Sequence, residues 1–362
     1  MSNRKAHTPI DLPLTALAVD VGGTNLSLAL MSWDGTRFGF LKRASYGTLQ
    51  ETSLLEPVLR FLADCRAAGL PAQADAACLS GAGPVKGRRI ILTNVPWDID
   101  GDVLEAALGM PVRVINDFEA IGHGVLLLEP EASEQLRPLP HLDGSLPQSD
   151  PHGTILVVGA GTGLGVGYIL RDGTRSQVLP SEGGHIGLPM IDEETLELWR
   201  FLRPSYLASP GAESAVSGPG LARLLEFMIQ THRAPATAIT RSIQALPMEA
   251  RPAAISENGG GDEACSRALN LFVDLYARVC AELCTVFLPT GGLYLAGGIA
   301  AKNEARFLDE NRFMASFSRN PRTHINTIVA GTPVYLVRDY SISLFGAARA
   351  ACQGIRHEDH HR

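Results

Sequence analysis

Two glycine turns, each set between apolar runs of strand length, constrain this chain more than any other feature. The first reads Ala16-Leu-Ala-Val-Asp20-Val-Gly22-Gly23-Thr24-Asn25 and leads into Leu26-Ser-Leu-Ala-Leu30. The second reads Ile155-Leu-Val-Val-Gly159-Ala-Gly161-Thr162-Gly163-Leu-Gly165 and leads into Val166-Gly-Tyr-Ile-Leu170. Each is predicted as strand, turn, strand. Glycine permits positive φ and lets backbone approach a ligand closely. Two such hairpins about one domain apart suit a polyphosphate gripped from two sides. They predict a nucleotide-using enzyme with a cleft between two domains.

A chain of 362 residues favours two domains over one, and 45% hydrophobic content is ample for their cores. The 37 glycines show no repeat period and so mark tight turns. A net charge of −7 argues against a general nucleic-acid binder, while leaving small phosphates within reach of backbone amides. Met1 to Thr15 is polar and proline-broken, without the apolar core of a signal peptide, and reads as a flexible arm. No apolar run is long enough for a transmembrane helix, so no membrane partner is expected. Cys65, Cys78, Cys265, Cys280, Cys284 and Cys352 form no close metal pair and read as buried thiols of a reduced, cytoplasmic protein.

The N-terminal third alternates strands, near 16–20, 26–33, 37–44, 76–80, 88–92 and 112–116, with helices near 51–68, 101–108 and 118–128. Residues 137–153, rich in Pro, Ser and Asp, read as a long surface loop. A second α/β region has helices near 192–203, 218–231 and 263–288, with a turn-rich break at 252–261. Strands at 293–297 and 333–338 and a helix at 341–353 complete it, before a polar tail at 357–362.

In the first turn, Gly22 and Gly23 would direct successive amides toward one spot, and Thr24 and Asn25 add side-chain donors. Asp20, at the strand end, could orient a hydrated Mg²⁺. The second turn lacks the Lys-Ser/Thr ending of a P-loop. It also fails a strict G-x-G-x-x-G, since Leu164 and Val166 stand where the last glycine should be, and a β-patterned run follows it where a Rossmann loop opens a helix. Val114-Ile-Asn116-Asp117-Phe118 ends a β-run in two residues that suit a helix N-cap. They equally suit a site in which Asp117 takes a proton from a substrate hydroxyl. Ser181-Glu182-Gly-Gly-His185 places a carboxylate and an imidazole on a flexible loop, a set that fits a polyhydroxylated ligand. Glu213 precedes a loop entering a helix at Val216-Ser-Gly-Pro-Gly-Leu221. Leu293-Tyr-Leu-Ala-Gly297-Gly298 is a strand ending in a glycine pair that either packs as a turn or approaches an adenosine.

Taken in order, these strings, with Thr93-Asn94, Trp97 and Ala296-Gly-Gly-Ile299, resemble the bacterial ATP-dependent glucokinase family of the non-ROK type, from about Leu14 to Ala351. The resemblance implies an α/β, two-domain, actin-like (ribonuclease H-like) ATPase fold with a cleft between domains. The small domain would comprise 16–117 with 341–356, and the large domain 118–340. It implies transfer of the γ-phosphate of Mg·ATP to the 6-hydroxyl of glucose, with Asp117 as base. Asn116, Asp117, Glu182, His185 and Glu213 would hold the sugar. Asp20, Gly22, Gly23, Thr24, Asn25, Gly161, Thr162, Gly163, Gly297 and Gly298 would serve the nucleotide, with Asp20 touching Mg²⁺ through water. Family members are commonly homodimers. The family's usual arginine two residues after the first Thr-Asn is Ser27 here. A kinase for another hexose, or a catalytically weak sugar-binding regulator, is the alternative.

Overall fold

The computed structural model describes residues 12–71, 73–92, 95–129, 134–173, 175–319 and 322–358. The chain divides into two units, Met1–Leu127 with Ser341–Arg362, and Leu128–Tyr340. The arm at 1–11, Thr93-Asn94 and the tail from 359 lie outside the described residues.

In the first unit, β1 (Leu14–Val21) forms an antiparallel hairpin with β2 (Asn25–Trp33), which pairs with β3 (Phe38–Gly47). Helix α1 (Leu55–Ala67) leads to β4 (Ala76–Gly81), parallel to β1. Three short strands, β5 (Val85–Lys86), β6 (Arg89–Ile90) and β7 (Ile99–Asp100), make a small separate sheet, so the strand expected over 88–92 is only two residues long. Helix α2 (Gly101–Leu108) is capped by the Asp100 carboxylate at its start and left-handed Gly109 at its end. Strand β8 (Val112–Asn116), parallel to β4, runs directly into α3 (Asp117–Val125). The sheet order is β3-β2-β1-β4-β8.

The second unit opens with β9 (Leu136–Pro138), which pairs with the unit's last strand, so the expected loop at 137–153 begins inside the sheet. The hairpin β10 (Ile155–Ala160) and β11 (Leu164–Asp172) carries the second glycine turn, and β12 (Arg175–Ser181) extends it. Helices follow as α4 (Glu193–Leu202), α5 (Gly218–Gln230), α6 (Ala238–Gln244), α7 (Arg251–Asn258) and α8 (Glu263–Phe287). Helix α7 replaces most of the break expected at 252–261. Pro252 stands in the first helical turn, where its missing N–H has no intrahelical partner to lose, and Ile255 is buried. Strand β13 (Gly292–Ala296) is followed by four short helices, α9 (Gly298–Lys302), α10 (Glu304–Leu308), α11 (Arg312–Phe317) and α12 (Thr323–Ala330), before β14 (Val334–Val337). The order is β12-β11-β10-β13-β14-β9. As in the first unit, an antiparallel hairpin borders parallel strands on its first member. Helix α8 is buried along its length, and its Tyr276 hydroxyl donates to the Val158 carbonyl of β10 at 2.8 Å.

The last helix, α13 (Ile342–Glu358), belongs to the first unit. Period-two alternation explains how that sheet accommodates helices on both faces. Leu17, Val19 and Val21 of β1 pack with Val58, Phe61 and Leu62 of α1. Ala16 and Ala18 face the other way, toward Ala347, Ala348 and Ala351 of α13. That face is built of small residues, and α3 meets α13 there at near backbone contact. A Cβ on Gly346 would sit 1.7 Å from the Ala120 carbonyl oxygen, and one on Gly124 2.3 Å from that of Ile342. This packing keeps α3 in the first unit, so the division falls after Leu127 and not at Asp117.

Candidate active site

The parallel strands of the first unit bring its polar residues to one sheet end. Asp20 is level with Ser80, and Gly81 with Asn116. Ligand sites of open α/β sheets lie at such carboxyl ends. The Asp20 carboxylate accepts from Ser80 Oγ at 2.9 Å and from Ser343 Oγ of α13 at 2.6 Å. Burial pushes its pKa up, and the two hydroxyls oppose that. Asp117 is half-buried at the start of α3. Its pKa is pushed up to about 6, first by burial and then by the charge of Asp20, against a hydrogen bond from the Phe118 N–H at 2.9 Å. A carboxylate whose protonation is favoured by burial and by a neighbouring acid invites a cation or a transferable proton.

Asn116 serves as the cap of α3 that its position allows. Its Oδ1 accepts from the Phe118 N–H at 2.8 Å, and its Nδ2 donates to the Gly83 carbonyl at 3.2 Å. One amide hydrogen and one lone pair are left for a ligand.

The first glycine turn differs from expectation in one respect. The Gly22 N–H closes the turn on the Asn25 carbonyl at 3.0 Å, so it does not point outward with Gly23. Thr48, fully buried, braces the turn from beneath: its hydroxyl donates to the Gly22 carbonyl at 2.8 Å and its N–H to that of Thr24 at 3.0 Å. Thr24 and Asn25 remain exposed. Ser27 lies opposite Asp20 in the hairpin register. Thr48, Ser80 and Ser343 had no local sequence signal, because each acts across 26 to 323 residues of chain.

In the second unit, the glycine turn closes in the same way, with the Gly161 N–H on the Gly163 carbonyl at 2.8 Å. Gly297, at φ 90°, lies against it: a Cβ there would be 2.6 Å from the Ala160 carbonyl oxygen. Gly298 opens α9 beside the ring of exposed Tyr340. Glu182 and His185 flank the 3₁₀ turn Gly183–His185, both well exposed, with Nε2 and Oε2 3.7 Å apart. Glu213 sits on a second 3₁₀ turn, Ala212–Ser214, just before α5, whose N-cap is Ser217. It is only partly exposed, and its Oε2 accepts from the Leu164 N–H at 2.8 Å. The Glu182–His185 segment and the Glu213 segment are joined by the Gly187–Gly211 bridge and by the Ala212 N–H on the Ile186 carbonyl at 2.7 Å. The structure thus gathers Asp20, Asn116, Asp117 and the first turn in one unit. It gathers the second turn, Gly297-Gly298, Glu182, His185 and Glu213 in the other.

A profile of the glucokinase family, described as Glucokinase, matches residues 17–354. A glucokinase from a Synechocystis species is 32% identical over 359 residues, covering 93% of this chain and 98% of that protein. The crystal structure of a glucokinase from an Antarctic psychrotroph superposes with a TM-score of 0.75 at 29% identity, over 94% of this chain and 99% of that one. That of a glucokinase from Balamuthia mandrillaris in complex with glucose gives a TM-score of 0.77 at 22% identity, over 94% of each chain. The fold is the α/β actin-like ATPase fold of the sugar kinases. The chain belongs to the glucokinase family, and so to the ATP-dependent hexose kinases.

Proposed function

We propose that this protein transfers the γ-phosphoryl group of Mg·ATP to the 6-hydroxyl of glucose, with Asp117 as general base. The observation that carries the reading is Asp117 itself. It is a carboxylate at a strand-to-helix junction, with a pKa raised to about 6, beside a second acid and a glycine turn. Phosphoryl transfer needs positioning and charge neutralisation more than covalent help. Asp117 accepts the hydroxyl proton as the bond to phosphorus forms. Asn116, Glu182, His185 and Glu213 are the residues assigned to the remaining hydroxyls. Gly23, Thr24, Asn25, Thr162 and Gly163 supply donors to the phosphates, while Gly22 and Gly161 shape the turns that present them. Gly297 and Gly298 line the approach of the adenosine.

Magnesium fits the residues present. Asp20 has both oxygens oriented by serine hydroxyls, and its charge burdens Asp117. A hydrated Mg²⁺ brought by the nucleotide would relieve that repulsion and supply charge neutralisation to the phosphates. We extend the reading to a cytoplasmic homodimer with no nucleic-acid or membrane partner. Six buried cysteines, none in a disulfide, suit a reducing compartment, and among the described residues no helix is long and apolar enough to cross a membrane.

Ser27 in place of the family's usual arginine is the feature that keeps a sugar-binding regulator in contention. Release of ADP from Mg·ATP across glucose, mannose, glucosamine and fructose separates the readings, with the phosphorylated position read by NMR. The highest kcat/KM with glucose and a 6-phosphate product is expected. A stronger response to another hexose would reassign the substrate, and ADP release with none would favour the regulator.

A further inference from the structure

Leu164 is the point at which the second glycine turn and the proposed sugar-binding segments are locked together. Its N–H is bound by Glu213 Oε2 at 2.8 Å, across 49 residues of sequence. Its carbonyl lies against Gly184, where a Cβ would be 1.8 Å away. Gly163, next to Leu164 in the turn, is the residue that admits the Glu213 carboxylate: a Cβ there would stand 2.6 Å from Oε2. The far side is closed as well. Ser217 Oγ donates to the Glu213 carbonyl at 2.8 Å, and the Gly218 N–H donates to the Gly161 carbonyl at 2.7 Å. The turn, the Glu213 segment and the start of α5 therefore form one hydrogen-bonded ring within the second unit.

We propose that Glu213 is a positioning residue for the nucleotide turn, and that through it hexose binding and nucleotide binding are coupled. With Oε2 taken by Leu164, Oε1 is the oxygen available to a sugar hydroxyl. A sugar on Oε1 fixes the carboxylate, and the carboxylate fixes the Leu164 amide and with it the conformation of Gly161 to Gly163. The nucleotide then meets a turn already ordered, and by linkage the sugar meets a carboxylate already ordered when the nucleotide binds first. The inference rests on the reading that this turn grips phosphates and that Glu213 faces the hexose.

The test is calorimetric titration of the full-length protein with a non-hydrolysable ATP analogue and Mg²⁺, without sugar and then with saturating glucose. Glucose should tighten the analogue about fivefold or more in the native protein. Glu213→Ala should weaken the analogue by a similar factor in the absence of sugar and abolish the effect of glucose. Glu213→Gln, whose amide oxygen can still accept from Leu164, should keep the sugar-free affinity for the analogue within about twofold while weakening glucose. Gly163→Ala, which displaces Oε2, should weaken both ligands, and should add little in the Glu213→Ala background. Circular dichroism identifies any variant that fails to fold, and Glu213→Met, which keeps the bulk but offers Leu164 no carboxylate oxygen, then carries the comparison with the losses expected of Glu213→Ala. If Glu213 is a sugar ligand alone, Glu213→Ala leaves the sugar-free affinity for the analogue unchanged, and the inference is wrong. If the native protein binds no nucleotide at all, the proposed function falls, and this inference with it.

Discussion

Asp117 concentrates what single residues contribute. Its folded pKa of about 6 lies above the 3.8 of an unperturbed aspartate, because burial and the Asp20 charge both disfavour ionisation. To act as the proposed base it must be ionised, so kcat/KM should fall tenfold per pH unit below about 6 and level off above it. The same shift has a stability consequence. The protonated form favours folding, so this contribution is fully present below pH 3.8 and is lost as pH rises through about 6. At pH 7.5 the native protein therefore buries an unfavourable charge. Asp117→Asn should raise stability there by roughly 1–2 kcal/mol, discounted for partial solvent exposure, while depressing turnover. Urea titrations of both proteins at pH 7.5 and pH 4 check this, and a stabilisation equal at both pH values would contradict the assigned cause. Ser343 acts on Asp20 in the opposite sense. Its hydrogen bond lowers the Asp20 pKa, so Ser343→Ala should raise that pKa further. With more of Asp20 neutral, Asp117 ionises more easily, and the acid limb of the pH profile should move to lower pH. An unmoved limb would show that the two carboxylates do not communicate.

Elements were legible where the sequence carried a complete local signal. The two hairpins, α2, α5 and α8 follow from apolar period, glycine turns and capping residues such as Asp100, Ser217 and Asp262. Pro252 and the glycines at 259–261 read as punctuation in the sequence, yet Arg251–Asn258 forms helix α7. A proline in the first turn is a helix start, and only tertiary burial of Ile255 decides between the two. Strand β9 was lost in a Pro- and Ser-rich stretch because three residues carry no period, and its pairing with β14 is nearly 200 residues away in sequence. At the site, Asp20, Asp117 and Glu213 are legible as residue types, but Ser80 and Ser343, which hold Asp20, and Thr48, which braces the first turn, are not. The contact between α3 and α13 gives a test at this scale. Gly346→Ala drives a methyl into the Ala120 carbonyl and should cost about 3 kcal/mol or more through forced separation of the helices. Gly354→Ala in the same helix meets nothing within 4 Å and should be neutral or stabilising by about 0.5–1 kcal/mol. Equal melting temperatures for the two variants would show that the helices are not in backbone contact.

At the scale of the whole molecule, both units repeat one plan: an antiparallel hairpin with a glycine turn, whose first strand borders a parallel strand. The cores that support this plan contain all six thiols, buried and with none in a disulfide. Burial pushes Cys78 and Cys265 up to about 12 and raises Cys280 and Cys284 as well. Native protein should therefore react negligibly with a thiol reagent at pH 8 over minutes, and release six equivalents only on unfolding. A rapid native equivalent would mean that one of these cores opens locally. The central claim is that Asp117 is the base for phosphoryl transfer from ATP to the hexose. Single-turnover formation of glucose 6-phosphate by the native protein and by Asp117→Asn, with glucose affinity measured in parallel, tests it most directly. The account predicts a loss of about 10²–10⁴ in the chemical step with glucose affinity held within a few-fold. A chemical step within tenfold of native in the Asn variant would contradict it.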